Sequence, residues 1–142
     1  MDQQELMTIL PHRPPMLLVD EAHIEGDTAV GTYTVRGDEF FLQGHFPGQP
    51  IVPGVILCEM MGQTSCVLMA EQVKGKTTLF AGLDKVRFRR TVQPGDTITF
   101  TTRQTASKAM FHFIEGTGKV GDDVVVTAEL SFALVDPKGS NK

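Results

Sequence analysis

The feature of this sequence that most constrains its fold is an apolar run at residues 55–70, which reads VILCEMMGQTSCVLMA. Its apolar residues fall on every side of a helix, a pattern typical of a helix that is buried all round rather than along one stripe. Pro53 and Gly54 precede the run, and we expect the helix to end before Lys74. Because such a helix must be surrounded by the rest of the chain, it favours a fold with a wrapping layer.

Most of the remaining sequence is predicted to form strands. The apolar pattern predicts strands at residues 16–24, 28–35, 97–103, 110–119 and 124–135, with a short helical turn at residues 3–9. Around Asp84 the alternation changes phase, which predicts a strand with a bulge there. One buried helix and about six strands predict an α+β fold, in which a strongly curved antiparallel sheet wraps one long central helix. By size the chain is a single domain, residues 1–142.

Charge and composition exclude several classes of protein. Thirteen basic against 17 acidic residues argue against general nucleic-acid binding. No apolar run reaches the ~20 residues of a membrane span, and the start MDQQELMTIL lacks the basic-then-apolar form of a signal peptide. Cys58 and Cys66 would lie too far apart on one helix for a disulfide, so we interpret them as buried thiols of a reducing cytoplasm.

Glu59 is the only charged residue of the helical run. An unpaired ionised carboxylate is unfavourable in an apolar environment, so we expect Glu59 to be paired or to have a raised pKa. A carboxylic acid that is protonated near pH 7 can act as a general acid. The candidate partner is His45 in GHFPGQPIVPG, because imidazole, with an ordinary pKa of about 6.5, suits a base. The alternative is that both residues are structural.

Three stretches of the chain resemble one enzyme family in order and spacing. They are LPHRPPMLLVD (residues 10–20), GHFPGQPIVPGVILCEMMGQ (residues 44–63) and AGLDKVRFRRTVQPGD (residues 81–96). They are similar to the 3-hydroxyacyl-acyl carrier protein dehydratases of type II fatty acid synthesis, in the general subtype that has Glu in the helix. The second stretch is the most specific, because its Glu59 follows His45 by 14 residues. The related dehydratase-isomerase usually has Asp at this position. The resemblance implies the hotdog fold.

The resemblance also implies an activity, the dehydration of (3R)-3-hydroxyacyl-acyl carrier protein to the trans-2-enoyl product. His45 would be the base and Glu59 the acid, with no metal or other cofactor. Gly54 lies at the helix start, where backbone N–H groups are unpaired, and we assign its N–H to the thioester carbonyl oxygen. Val55 and Phe46 are assigned to substrate binding. Similar enzymes take His and Glu from different subunits, so we expect a cytoplasmic homodimer, with a trimer of dimers as the alternative.

Other functions stay open at this point. A hotdog acyl-thioesterase would hydrolyse the thioester, a dehydratase could also isomerise its enoyl product, and a non-catalytic protein could only bind acyl thioesters. A metal site is disfavoured, since one His and one Glu lack the ligand count. Phe80 and Met69 are candidates for gating an acyl tunnel. Residues 12–15 are interpreted as structural, and His23 and His112 receive no role.

A docking surface for the acyl carrier protein must be local, because that partner is acidic and the chain has a net charge of −4. The best basic cluster is Lys85, Arg87, Arg89 and Arg90, and the first three are predicted to share one strand face. A solvated sheet face is the alternative interpretation of these residues.

Overall fold

The computed structural model describes residues 1–44 and 48–136. Its strands are β1 (Glu21–Glu25), β2 (Thr28–Thr34), β3 (Thr77–Phe88), β4 (Thr97–Lys108), β5 (Phe111–Val120) and β6 (Asp123–Val135). Its α-helices are α1 (Gln3–Leu6), α2 (Gly54–Ser65) and α3 (Ala70–Val73), with 3₁₀ turns at Phe40–Leu42 and Cys66–Met69. The turn at Cys66–Met69 joins α2 to α3, so that residues 54–73 form one nearly continuous helical segment.

The six strands form one antiparallel sheet in the order β1-β2-β4-β5-β6-β3. β1 and β3 are the edge strands, and Met1 exchanges backbone hydrogen bonds with Ala22 of β1. The side chains of β6 alternate as the sequence predicts, and Ala128, Leu130 and Phe132 face the core. Strands β1 and β2 form a hairpin. The predicted α+β architecture, a sheet with a central helix, is therefore correct.

Helix α2 packs against the inner face of this sheet. Met60 and Met61 are fully buried there, and Gly116 of β5 makes room for the second of them. A Cβ atom added at Gly116 would lie 2.6 Å from the sulfur of Met61, closer than any such contact tolerates. The close approach of helix and sheet therefore depends on glycine at this position.

Three sequence predictions about the elements are wrong in part. The strand expected at residues 16–24 begins only at Glu21, because the N–H of Leu18 donates to the side chain of Gln63 instead of a neighbouring strand. Strand β4 continues past residue 103 to Lys108, where its residues are mostly exposed and carry no apolar alternation. The helix is not buried all round, because 68% of Val55 is exposed.

The edge strand β3 is exposed to a degree that the sequence pattern does not indicate. Phe88 is 53% exposed, Leu79 is 50% exposed and Leu83 is 45% exposed. The predicted bulge is confirmed, since the pairing with β6 shifts between Asp84 and Arg87. Leu83 and Phe88 pair with Leu130 and Val126 and so lie on the inner face, whereas Leu79 pairs with Ala133 and lies on the outer face. Their exposure follows from the place of β3 at the edge of the sheet.

Candidate active site

The carboxylate of Glu59 lies in a small cavity between α2 and the sheet. The cavity measures about 60 Å³ and is lined by His12, Glu59, Gly62, Gln63, Cys66, Thr78, Phe80 and Phe132. The rings of Phe80 and Phe132 contact each other, with centroids 5.1 Å apart, and Phe80 also packs against Gly62. The side chain of Glu59 is 22% exposed. A nearly buried carboxylate therefore faces an apolar wall, as the sequence predicts.

Gln63 holds one oxygen of this carboxylate. Its Nε2 donates to Oε2 of Glu59 at 2.8 Å and to the carbonyl oxygen of Met16 at 2.8 Å. Its Oε1 accepts from the N–H of Leu18, also at 2.8 Å. Because a backbone N–H can only donate, the amide of Gln63 must place its oxygen toward Leu18 and its NH₂ toward Glu59. The orientation of the donor to Glu59 is thus fixed by the backbone.

A second nitrogen reaches the same carboxylate oxygen. Nε2 of His12 lies 3.2 Å from Oε2 of Glu59, and the His12 side chain is 24% exposed. Its other ring nitrogen, Nδ1, is buried and has no hydrogen-bond partner in the described part of the chain. Sequence analysis assigned residues 12–15 a structural role only, so it missed this contact. A signal was available in the sequence: a lone carboxylate in an apolar run needs a partner, and the stretch at residues 10–20 contains a histidine, His12.

The predicted partner and one predicted substrate contact, His45 and Phe46, lie outside the described residues. Gly54 is described, and it is the first residue of α2 after Pro53. Within the described residues its N–H has no acceptor, as expected for the first turn of a helix. Val55, which follows, is the most exposed of the large apolar residues. Gly54 and Val55 are therefore accessible from outside the helix.

Gly54 and Glu59 do not share one cavity. Five residues of an α-helix rotate the chain by about 140° between the two positions. Gly54 faces Phe88, whose ring lies 2.6 Å from where a Cβ atom would be placed, while Glu59 faces Phe80 and Phe132. Gly54 is accordingly not among the residues that line the Glu59 cavity. Within one chain, the side chain of Glu59 and the Cβ position of Gly54 therefore lie on different sides of α2.

The two cysteines lie on the same helical segment, and both thiols are free and buried. Burial, with a smaller contribution from the charge of Glu59, raises the pKa of Cys66 from 9.0 to about 12. Burial also raises the pKa of Cys58. A raised thiol pKa means that less thiolate is present at any given pH, so neither cysteine is suited to act as a nucleophile.

The four cations of the predicted docking cluster differ in whether an acidic side chain pairs with them. Arg90 pairs with Asp123 at 2.8 Å and with Asp96 at 3.4 Å, and Lys85 lies 3.6 Å from Glu129. Arg87 and Arg89 have no acidic partner among the described residues. The bulge at residues 84–87 and the positive φ of Lys85 (51°) also interrupt the regular alternation on which a shared face was predicted.

Within residues 1–44 and 48–136, no three His, Cys, Asp or Glu side chains are grouped as a metal site requires. None of the helices in these ranges has the length and apolar character needed to cross a membrane.

Comparison with known proteins was made at the level of family, sequence and fold. The FabA-like domain matches residues 10–129. The 3-hydroxyacyl-[acyl-carrier-protein] dehydratase FabZ of Thermoanaerobacter pseudethanolicus is 42% identical over 140 residues, which is 96% of this chain and 99% of that protein. The protein of the same name from Staphylococcus aureus (strain JH9) is 40% identical over 141 residues, covering 96% and 97% of the two chains.

Two solved structures share the fold. The dehydratase heterocomplex ApeI:P from Xenorhabdus doucetiae gives a TM-score of 0.80 at 22% identity, over 93% of this chain and 91% of that one. The fluoroacetyl-CoA thioesterase FlK gives a TM-score of 0.66 at 15% identity, over 80% and 90% of the two chains. At these identities the likeness concerns the fold alone, and it confirms the predicted hotdog fold.

Proposed function

The chain belongs to the FabA-like family, and on that premise we propose that it is a 3-hydroxyacyl-acyl carrier protein dehydratase of fatty acid elongation. The observation that carries this proposal is Glu59, the one carboxylate that lines a small cavity walled in part by Phe80 and Phe132, with one oxygen held by the amide of Gln63. Curated relatives about 40% identical over nearly the whole chain are named as such dehydratases, which supports the same conclusion.

The reaction is an elimination of water. His45 removes a proton from C2, and the C–H electrons form the C2–C3 double bond. As the C3–O bond breaks, Glu59 gives its proton to the leaving hydroxyl, so that water and a trans-2-enoyl thioester are the products. The proton on His45 and the one lost from Glu59 are then re-equilibrated through solvent. The two groups must begin in opposite states, a neutral imidazole and a protonated carboxyl.

The proton at C2 becomes acidic enough only if negative charge on the thioester oxygen is stabilised. We assign the N–H of Gly54 to this oxygen. Two observations support the assignment: the N–H has no acceptor in the described chain, and it lies at the positive end of the helix dipole of α2. Val55 and Phe46 are proposed to contact the substrate beside it.

We propose that each active site is built from two copies of the chain. Gly54 and Glu59 face different directions on one helix, and a cavity of about 60 Å³ is far smaller than an acyl chain requires. The exposed apolar side chains of β3, with Leu83 and Phe88 on its inner face and Leu79 on its outer face, are proposed as the surface for a second copy. A homodimer is proposed, and a trimer of dimers is the larger alternative.

The carrier protein is proposed to dock near Arg87 and Arg89. These are the two cations of the basic cluster without an acidic partner in the described residues, whereas Arg90 and Lys85 are already paired. An unpaired cation attracts an acidic partner more strongly than one whose charge is compensated. We place the enzyme in the cytoplasm, where acyl carrier protein and two free thiols are both expected.

The proposal is tested by the products formed from a series of 3-hydroxyacyl thioesters of increasing chain length. Ultraviolet absorbance of the conjugated enoyl thioester is followed in parallel with a colour reagent for free thiol. We expect enoyl product without thiol release. Thiol release without enoyl product would instead identify a thioesterase, and chromatography of the enoyl products would show whether the double bond also moves to cis-3.

A further inference from the structure

We propose that His12 is a positioning residue for Glu59. His12 and Gln63 together occupy Oε2 of Glu59, and Oε1 is left as the oxygen that carries the transferred proton. This inference rests on the proposed function, because it assigns a role toward the acid of that reaction. His12 comes from the segment between α1 and β1, and Gln63 from α2 itself, so the carboxylate is approached from two parts of the chain.

The protonation of His12 follows from its surroundings. Nδ1 is buried without a partner in the described residues, and Nε2 lies 3.2 Å from Glu59. A proton on Nδ1 would create an orphaned buried donor, which is rarer in proteins than an orphaned acceptor. The tautomer with its proton on Nε2 is therefore favoured, and Nε2 lies 3.2 Å from Oε2 in a polar contact that is not aligned as a hydrogen bond in this structure. Contacts of this kind commonly shorten and align when substrate closes a site.

The two donors determine which oxygen of Glu59 can hold the proton. A carboxylate oxygen accepts about two hydrogen bonds, and donors from Gln63 and His12 would use both positions on Oε2. A proton placed on Oε2 would displace one of these donors. Oε1 has no partner in the described residues and is free to hold the proton. The pair of donors thus selects both the rotamer of Glu59 and the oxygen that transfers its proton.

The test compares two substitutions at His12 in the assembled enzyme. His12→Phe keeps a ring of similar size but has no donor, and His12→Gln places an amide NH₂ near the position of Nε2. We expect His12→Phe to lower kcat ~10-fold or more with little change in KM, and His12→Gln to stay within about five-fold of wild type. His23→Phe is the matched control, since His23 also contacts a glutamate, Glu25 at 2.6 Å, but on an exposed strand.

A double-substitution cycle separates positioning from a merely structural role. If His12 acts through Glu59, adding His12→Phe to Glu59→Gln changes the residual kcat by no more than about two-fold. The proposal is overturned if folded His12→Phe keeps wild-type kcat. It is also overturned if His12→Phe lowers kcat by the same factor in the Glu59→Gln background as in the wild type. Should His12→Phe fail to fold, a loss of more than about ten-fold in folded His12→Gln would overturn it. Absence of enoyl formation by the wild type would instead refute the proposed function.

Discussion

Nε2 of His12 lies 3.2 Å from Oε2 of Glu59, and the amide of Gln63 donates to the same oxygen at 2.8 Å. The carboxylate that the sequence marks as exceptional therefore has polar partners within its own chain. Its other oxygen has none in the described residues, and Glu59 lines a cavity together with Phe80 and Phe132. This arrangement fits the proposed role of Glu59 toward a ligand.

The two-chain site predicts complementation between inactive variants. His45→Ala and Glu59→Gln homodimers should each be nearly inactive, because each lacks one group at both sites. Co-assembled at equal amounts, they should recover about a quarter of the wild-type activity, since half of the dimers are mixed and each mixed dimer has one intact site. Enoyl formation by co-expressed, tagged chains measures this. No recovery in a verified mixed dimer would place His45 and Glu59 of one chain in the same site.

The exposed face of β3 predicts where the copies associate. Leu83→Asp should weaken dimerisation about 100-fold or more, because an unpaired charge would be placed in an apolar interface. Ile24→Asp is the matched control, since Ile24 is 54% exposed on β1 at the opposite edge of the sheet, compared with 45% for Leu83. Sedimentation velocity measures both variants. If the two substitutions weaken dimerisation equally, or if Leu83→Asp does not weaken it, the interface does not lie on β3.

The unpaired cations predict a salt-sensitive interaction with the carrier protein. Reversal of both charges, Arg87→Glu with Arg89→Glu, should raise KM for carrier-linked substrate ~10-fold and leave kcat almost unchanged. Lys108→Glu with Lys119→Glu changes the net charge equally and serves as the control, because both lysines are exposed on β4 and β5. An unchanged KM that is also insensitive to salt would show that Arg87 and Arg89 do not form the docking site.

The two buried thiols predict slow alkylation of the folded protein, which can be measured independently of catalysis. The pKa of Cys66 is raised to about 12 and that of Cys58 is also raised, so at pH 8 the folded protein holds less thiolate than the unfolded chain. Alkylation by iodoacetamide should therefore be slow when the protein is folded and rapid in denaturant, where both thiols react. Mass spectrometry gives the extent of labelling at each cysteine. Rapid labelling of Cys66 in the folded enzyme would contradict its buried, protonated state.

Much of the fold could be predicted from the sequence because its main elements have regular patterns. The alternation in β6 and the dense apolar run of α2 each specify an element and the face that it buries. The contact of His12 with Glu59 could not be predicted in this way. It depends on how residues 10–20 cross the helix, and their backbone is fixed by Gln63 rather than by a strand pattern.

The exposure of β3 was missed for a related reason. Apolar residues at a subunit interface show the same alternation in sequence as residues in a core. Leu79 and Phe88, which are exposed, could therefore not be distinguished from core residues. Glu59, by contrast, could be singled out from the sequence, since its charge stands out in an apolar run, and its role as the acid stays a prediction.

The central claim, that Glu59 protonates the leaving hydroxyl, is tested most directly by changing the leaving group. Chloride departs without a proton, so a 3-chloroacyl thioester needs the base but not the acid. We predict that Glu59→Gln lowers the rate of enoyl formation by ~10²–10⁴ with the 3-hydroxyacyl thioester and by no more than about three-fold with the 3-chloroacyl thioester. Equal losses with the two substrates would contradict the assignment of Glu59 as the proton donor.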